Sequence, residues 1–261
     1  MIARLVELIF NHVFTILYTT LHIFLPSHVY INYYFYRQYI RGAVTTRNMC
    51  TLSRKKLHYY LENVKTFRNP KLEFEQYCTS AQVAADILFN VQMMDGALEG
   101  MSVADLGCGT GMLSIGAKLL GASCVLGFEI DEDAVTEFRS NLETYEMLNE
   151  NINIALCDVV RLFRQNNNKF VDTVILNPPF GTNPDNNGAD MAFLHAALSI
   201  AHSNVYSLHK TTTRNHVLRT IHNTGAQAKV IAELRFDLPR SYKRHRYDTV
   251  DINVDFIHSW F

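Results

Sequence analysis

The 261-residue sequence predicts an α/β fold: a seven-stranded, mostly parallel sheet with helices on both faces and an antiparallel edge strand. Three observations predict it. Short apolar runs alternate with amphipathic helical stretches, as they do in a parallel sheet covered on both sides. A glycine-rich turn, "ADLGCGTGMLSIG", follows the first of these runs and opens a helix. The last run, "VDINVDFIH", alternates strictly and follows its predecessor with no helix between, which marks an antiparallel edge strand.

Taken in order, the chain first presents a segment unlike the rest. Residues 1 to 48 hold ten aromatics and five charges. Within them Leu8 to Leu25 is an uncharged run of 18 residues, the lower edge of a membrane span, diluted by Asn11, His12, His22 and three threonines. A signal anchor, a partner-facing apolar helix and a misjoined upstream segment are the three readings. The last is preferred, because "MCTLSRKKLHYYLENV" from Met49 reads as a clean start, giving a domain from 49 to 261. Polar helices then fall near Ser53 to Lys65 and Ser80 to Met94. The strands are "SVADLG", "SCVLGFEID", "INIALCD", "VDTVILNPPF", "NVYSLH", "AKVIAELRFDLP" and "TVDINVDFIHSW". Between them lie a helix from Met112 and the helices "EDAVTEFRSNLETYEML", "ADMAFLHAALSIA" and "TTRNHVLRTIHN". The Asn-rich stretches at 165–168 and 183–188 are short loops, and there is no internal repeat.

Composition excludes several classes. The formal net charge is −1, so a polyanion would have to meet a local patch rather than a global basic field. Five scattered cysteines with no CxxC pair argue against a disulfide framework or a structural zinc site, and fit a reducing compartment. His195, His202, His209 and His216 recur every seven residues, but that stretch runs helix, strand, helix. The four cannot share a face, and no metal is expected.

Gly107, Gly109 and Gly111 stand between the first strand and its helix. There backbone can pass close to a ligand and the helix start offers free N–H groups. Such a loop is weak evidence alone. It gains weight from Asp105 just before it, from Glu129 closing the second strand, and from Asp158 ending the third. Glu129 is placed to accept from ribose hydroxyls and Asp158 to take an adenine amino group. Each carboxylate read singly is a strand-end cap. All three on successive strand ends describe a nucleoside-containing ligand at the edge where open α/β sheets bind. A dinucleotide would want its third glycine one residue later. The spacing resembles the adenosylmethionine loop of Rossmann-like class I methyltransferases.

The fourth strand ends in "ILNPPFG", residues 175 to 181. Two prolines fix two φ angles and give up two backbone donors, more rigidity than a turn requires. An exocyclic amine conjugated to a ring is a poor nucleophile. A site that holds both of its N–H groups, with the Asn177 side-chain oxygen and the Pro178 carbonyl, aims the lone pair and stabilises the growing positive charge. Pro178 and Pro179 keep those acceptors still, and Phe180 is expected to offer a face on which a flat substrate stacks. Alone, the motif is equally a proline-terminated strand with Phe180 in the core.

From Met49 onward the chain resembles the eukaryotic methyltransferase-like protein 5 family, on "KLEFEQYCTS", "ADLGCGTGMLSIG", "GFEIDEDA", "CDV", "DTVILNPPFGT", "DMAFL", "VYSLHK", "IAELRFDLPRSYK" and "VDINVDFI". The resemblance implies S-adenosyl-L-methionine-dependent methylation of the exocyclic N6 amine of one adenosine in 18S ribosomal RNA. It implies donor contacts at Gln76, Thr79, Gly107, Thr110, Met112, Glu129, Asp158 and Val159, with catalytic placement by Asn177, Pro178, Pro179 and Phe180. It also implies a partner, the small tRNA methyltransferase 112 activator subunit. Relatives commonly carry Pro, Cys and Asp where this chain has Cys78, Thr110 and Glu129.

Residues 49 to 261 contain 20 basic and 24 acidic residues, so RNA must meet a concentrated patch. The candidate is "RSYKRHRY", where Arg240, Lys243, Arg244 and Arg246 interleave with Tyr242 and Tyr247, extended by Lys210, Arg214 and Arg219. A solvated run of loop charge is the plain alternative. Two rival functions stand beside the first: a protein glutamine methyltransferase, whose substrate amide presents the same planar NH₂, and a non-catalytic RNA-binding subunit with a vestigial donor pocket.

Overall fold

The computed structural model describes residues 52–164, 168–239 and 249–261. The N-terminal extension and the basic segment with Arg240, Lys243, Arg244 and Arg246 lie outside them. In chain order the elements are α1 (Arg54–Leu61), α2 (Ala81–Asp95), β1 (Ser102–Leu106), α3 (Met112–Leu119), β2 (Cys124–Glu129), α4 (Glu132–Thr144) and β3 (Ile152–Leu156). There follow α5 (Val159–Phe163), β4 (Val171–Leu176), α6 (Ala189–Ile200), β5 (Ala201–Lys210), α7 (Arg214–Asn223), β6 (Gln227–Pro239) and β7 (Thr249–Trp260). Serines cap the first two helices: Ser53 Oγ accepts from Lys56 N and Ser80 Oγ from Val83 N, each satisfying a helix-start donor.

The seven strands form one sheet in the order β3-β2-β1-β4-β5-β7-β6. Its first five strands are parallel, and β7 runs antiparallel to both β5 and β6. The expected antiparallel edge is therefore a pair: β7 docks on β5, and β6 lies outside it. Leu57, Leu61, Leu88, Ile115 and Phe138 pack α1 to α4 on one face. Phe163, Leu194, Val217 and Ile221 pack α5 to α7 on the other. Each such side chain removed from water stabilises the fold by roughly 1.5–3 kcal/mol, which is why the helices stay on the sheet.

Strand order reverses between β1 and β4, the switch point at which crossovers leave to opposite faces and a crevice opens beyond the strand ends. Leu106 pairs with Phe128 on one side and Leu176 on the other. Gly107, Glu129 and Asn177 thus emerge at one edge, side by side. The histidine heptad divides as expected, with His195 on α6, His202 and His209 on β5, and His216 on α7. Among the described residues no helix is long and apolar enough to cross a membrane.

Candidate active site

The loop after β1 turns through three left-handed glycines: φ is +72° at Gly107, +53° at Gly109 and +93° at Gly111. Space is as restrictive as dihedral. A Cβ on Gly111 would lie 2.2 Å from the buried Phe138 ring, and one on Gly109 would lie 2.8 Å from Phe67. Phe193, from α6, stands 3.1 Å from where a Gly107 Cβ would be. Aromatic rings from three separate segments therefore wall the loop.

Glu129 fastens this loop to β2. Its Oε2 accepts from Gly109 N at 2.8 Å, and Oε1 accepts from Ile130 N and Asp131 N at 2.9 and 3.0 Å. Burial raises its carboxyl, and the three backbone donors oppose that rise. With two lone pairs per oxygen, one on Oε2 remains for a ligand hydroxyl. Asp158 caps α5, accepting from Val160 N and Arg161 N at 3.0 and 3.1 Å, the plain role weighed for a strand-end carboxylate. Val159 behind it is buried. At the loop's other end, Met112 is the buried first residue of α3.

A strap, residues 65–80, crosses this edge before the sheet begins. Asn141 holds its start through both Lys65 N and Lys65 O at 2.9 Å, while also donating to Thr110 O at 2.8 Å. Lys71 Nζ pairs with Asp131 at 2.5 Å and Asp133 at 2.7 Å. Gln76 accepts from Lys71 N at 2.7 Å and donates to Asp131 Oδ2 at 2.6 Å, so its amide braces the strap against the start of α4. Cys78 is half-buried, and desolvation pushes its thiol up to about 11; it stays neutral.

The strap ends at the proline bracket. Asn177 Nδ2 donates to Thr79 Oγ1 at 2.9 Å, and Asn177 Oδ1 is buried with no partner among the described residues. Thr110 Oγ1, in the glycine loop, is likewise buried, with the Cys78 thiol beside it. Leaving a buried polar atom unpaired costs about 1–3 kcal/mol, so Asn177 Oδ1 at this edge marks a place suited to a polar ligand. Pro178 is buried and Pro179 half-buried. Phe180 departs from the open platform expected of it. The ring is 3% exposed and meets Phe236 of β6 in a T-shaped contact with centroids 5.8 Å apart. It belongs to the core on the α1-to-α4 face, the plain alternative for this motif.

Comparison with known proteins decides what this edge belongs to. Over 203 residues the chain is 48% identical to the rRNA N(6)-adenosine-methyltransferase METTL5 of Danio rerio, covering 78% of this chain and 96% of that one. Its Drosophila melanogaster counterpart is 45% identical, covering 80% and 96%. The chain belongs to the rRNA N(6)-adenosine-methyltransferase family. A solved structure of a candidate RNA methyltransferase from Pyrococcus horikoshii, 33% identical, superposes with a TM-score of 0.67 over 79% of this chain and 95% of its own. The family description "Ribosomal protein L11 methyltransferase (PrmA)" also matches, but across residues 87–178 alone. That stretch runs from α2 through the glycine loop to Asn177 and Pro178, and stops before Pro179, Phe180 and the last three strands.

Sequence reasoning about this family missed Glu75, Phe67, Asn141 and Phe193, all of which shape the edge. Glu75 and Phe193 lie in motifs already noted, "KLEFEQYCTS" and "DMAFL", which was the available signal. Of the basic residues proposed to extend the RNA patch, Lys210 ends β5 half-buried and Arg219 is exposed on α7. Arg214 is engaged. Its guanidinium holds Asp255 through Nε and a terminal nitrogen, both at 2.6 Å, and reaches Glu233 at 2.8 Å.

Proposed function

We propose that this chain transfers a methyl group from S-adenosyl-L-methionine to the exocyclic N6 amine of a specific adenosine in 18S ribosomal RNA. The observation that carries the reading is the buried Asn177 Oδ1, partnerless among the described residues, its amide held by Thr79, at the switch point beside the glycine loop. The residues present fit the donor. Gly107, Thr110 and Met112 would meet its amino-acid end, the spare lone pair of Glu129 its ribose, and Asp158 with Val159 its base, while Gln76 and Thr79 close the strap side. Bound there, the donor supplies an electrophilic methyl on a sulfonium.

The chain's own part is placement. Asn177 Oδ1 and the Pro178 carbonyl accept the two N–H groups of the amine, so its lone pair is directed away from them. The positive charge that grows on nitrogen is met by two fixed oxygens. Pro178 and Pro179 hold them without reorganisation. Phe180, packed edge to face on Phe236, backs the bracket from the core. The L11 methyltransferase likeness covers only residues 87–178, whereas the relatives matched along nearly their whole length are named for rRNA adenosine, which favours an RNA substrate over a protein one. Asn177→Ala is expected to lower methyl transfer by about 10²–10³-fold, the usual cost of one transition-state hydrogen-bond partner. Donor affinity by calorimetry should change less than about twofold, since the side chain removed serves the acceptor amine. Labelled methyl appearing on release-factor protein and not on purified ribosomal RNA would replace this reading with the glutamine one.

The tRNA methyltransferase 112 activator subunit is the proposed partner. Support comes from β3, outermost on its side of the sheet, with Leu148, Leu156 and Leu162 exposed around it. An open strand edge beside apolar side chains suits a partner that pairs strand to strand. An rRNA substrate would suit a chain of nucleus and cytoplasm, and we assign residues 49 to 261 to the catalytic domain.

A further inference from the structure

The loop that leaves the bracket, residues 181–188, is fastened to the strap by one carboxylate. Asn183 N donates to Glu75 Oε1 at 2.9 Å. Asn186 Nδ2 donates to the same oxygen at 3.2 Å and to Glu73 O at 2.9 Å. Glu75 is 6% exposed, and its other oxygen, Oε2, is buried with no partner among the described residues. Its backbone lies in the left-handed region, φ +48°, where a side chain other than glycine is uncommon. That conformation is held from both sides, by Glu75 N donating to Leu72 O at 3.1 Å and Tyr77 N donating to Glu75 O at 2.7 Å. A residue kept in a strained conformation, with its carboxylate out of water, is held there by its surroundings for what it touches.

Those contacts close a ring. From Glu75 the strap runs four residues to Thr79, which receives Asn177 Nδ2. From Asn177 the chain runs six residues to Asn183, which returns to Glu75. The two cross-links set the two ends of one short stretch: Thr79 orients the amide of Asn177, and Glu75 sets the height of the loop beyond Phe180. Within that stretch Gly181 sits at φ +67°, and a Cβ there would lie 3.2 Å from Asn186 O, so the loop is folded tightly against itself. A carboxylate receiving two N–H groups gives stronger bonds than a neutral oxygen would.

We infer that Glu75 is a positioning residue for the methyl acceptor: by holding the 181–188 loop to the strap it fixes the wall against which the target amine is brought to Asn177. The inference rests on the reading of Asn177 as the amine's acceptor. It concerns the acceptor side alone, because the strap's donor-side contacts, at Lys71 and Gln76, do not pass through the Glu75 side chain.

The test compares wild type with Glu75→Ala, Glu75→Gln and Asn186→Ala in three measurements. These are donor affinity by calorimetry, methyl transfer to purified ribosomal RNA at saturating donor, and hydrogen exchange of the 181–188 backbone amides without RNA. Glu75→Ala should lose about 10- to 100-fold in kcat, the scale of a misplacement near 1 Å, with donor Kd within about twofold. Its Asn183 amide should exchange at least about tenfold faster. Glu75→Gln keeps an oxygen for both donors and should recover most of the kcat and the protection. Asn186→Ala, which leaves Glu75 in place and removes one donor, should fall between. A Glu75→Ala enzyme turning over within twofold of wild type overturns the inference, as does a Glu75→Gln enzyme no better than Glu75→Ala. The exchange arm needs no substrate: unchanged protection at Asn183 in Glu75→Ala removes the latch whatever the chain methylates. A wild type that binds donor and methylates no ribosomal RNA, with the protection differences intact, sinks the proposed function and leaves the latch standing.

Discussion

Asp105 ends its strand inside the protein, where Ser114 Oγ donates to its Oδ2 at 2.6 Å. Burial, opposed by Ser114 and reinforced by the nearby Glu129 charge, pushes its carboxyl up to about 7. Below pH ~4 folded and unfolded chains both hold the proton, and the contribution is complete. Between about 4 and 7 the folded chain keeps a proton that the unfolded chain has lost, so stability falls as pH rises. Three units correspond to about 4 kcal/mol at most. Asp105→Asn keeps an oxygen for Ser114 and cannot ionise; its urea midpoints at pH 5 and pH 8, without donor, should lie closer together than those of wild type. Equal separations would show that Asp105 does not titrate in this window. At this scale what type and spacing made legible is place: Gly107, Gly109 and Gly111, Glu129, and Asn177 all stand where the strands end at the switch point. Less legible were residues whose role depends on what the fold brings near them. Asp158 reads as an adenine ligand and also caps α5. Phe180 reads as a platform and is covered by Phe236, 56 residues later in the chain. Glu75 reads as one of many charges until Asn183 is seen against it.

The turn from β1 into α3 is where an element depends most on a missing side chain. Gly111→Ala meets two penalties, a left-handed φ of +93° and a contact 2.2 Å from Phe138, whose ring is fully buried and has nowhere to go. Strain of about 1–3 kcal/mol and overpacking of a further ~1–3 kcal/mol are expected. Gly100, at φ +71°, has open space where a Cβ would go, so Gly100→Ala carries the strain alone. Urea unfolding should therefore rank Gly111→Ala below Gly100→Ala by about 1–3 kcal/mol; equal losses would mean the ring yields. All seven strands are legible as elements, because apolar runs bounded by turn residues survive any rearrangement of order. The five-residue α5 is not, being too short for a periodicity to register. Nor is the order of the last two strands. Asp251, Asn253 and Asp255 give β7 the alternation of an exposed face, yet the Asp255 side chain is wholly buried, satisfied by Arg214 and Thr211. Once that carboxylate is paired, β7 can sit inside and β6 outside.

The whole molecule must bring a polyanion to a chain whose domain is net acidic, and the sheet suggests how. β7 pairs with β5 as far as Val254 opposite Lys210, while its pairing with β6 continues to Thr249 opposite Pro239. Five further rungs, from Arg235–Asn253 to Pro239–Thr249, thus reach past the end of β5. Phe236 on this overhang touches Phe180 of the bracket. In sequence the basic segment 240–248, with Tyr242 and Tyr247, connects Pro239 to Thr249, and it lies outside the described residues. If that segment holds RNA by phosphate contacts, as proposed, positive charge elsewhere need carry little of the binding. Arg214 supplies a control. Its charge is already matched by Asp255 and Glu233, so Arg214→Ala should leave the salt dependence of RNA binding unchanged. Lys243→Glu with Arg244→Glu should weaken binding and lower the slope of log K against log[salt] by roughly 1.4, at about 0.7 for each single-strand phosphate no longer neutralised. Filter binding between 50 and 200 mM salt, a range over which such contacts weigh heavily, reads both quantities. If affinity and slope survive the double reversal, RNA enters by another face, and the overhang serves only to cover Phe180.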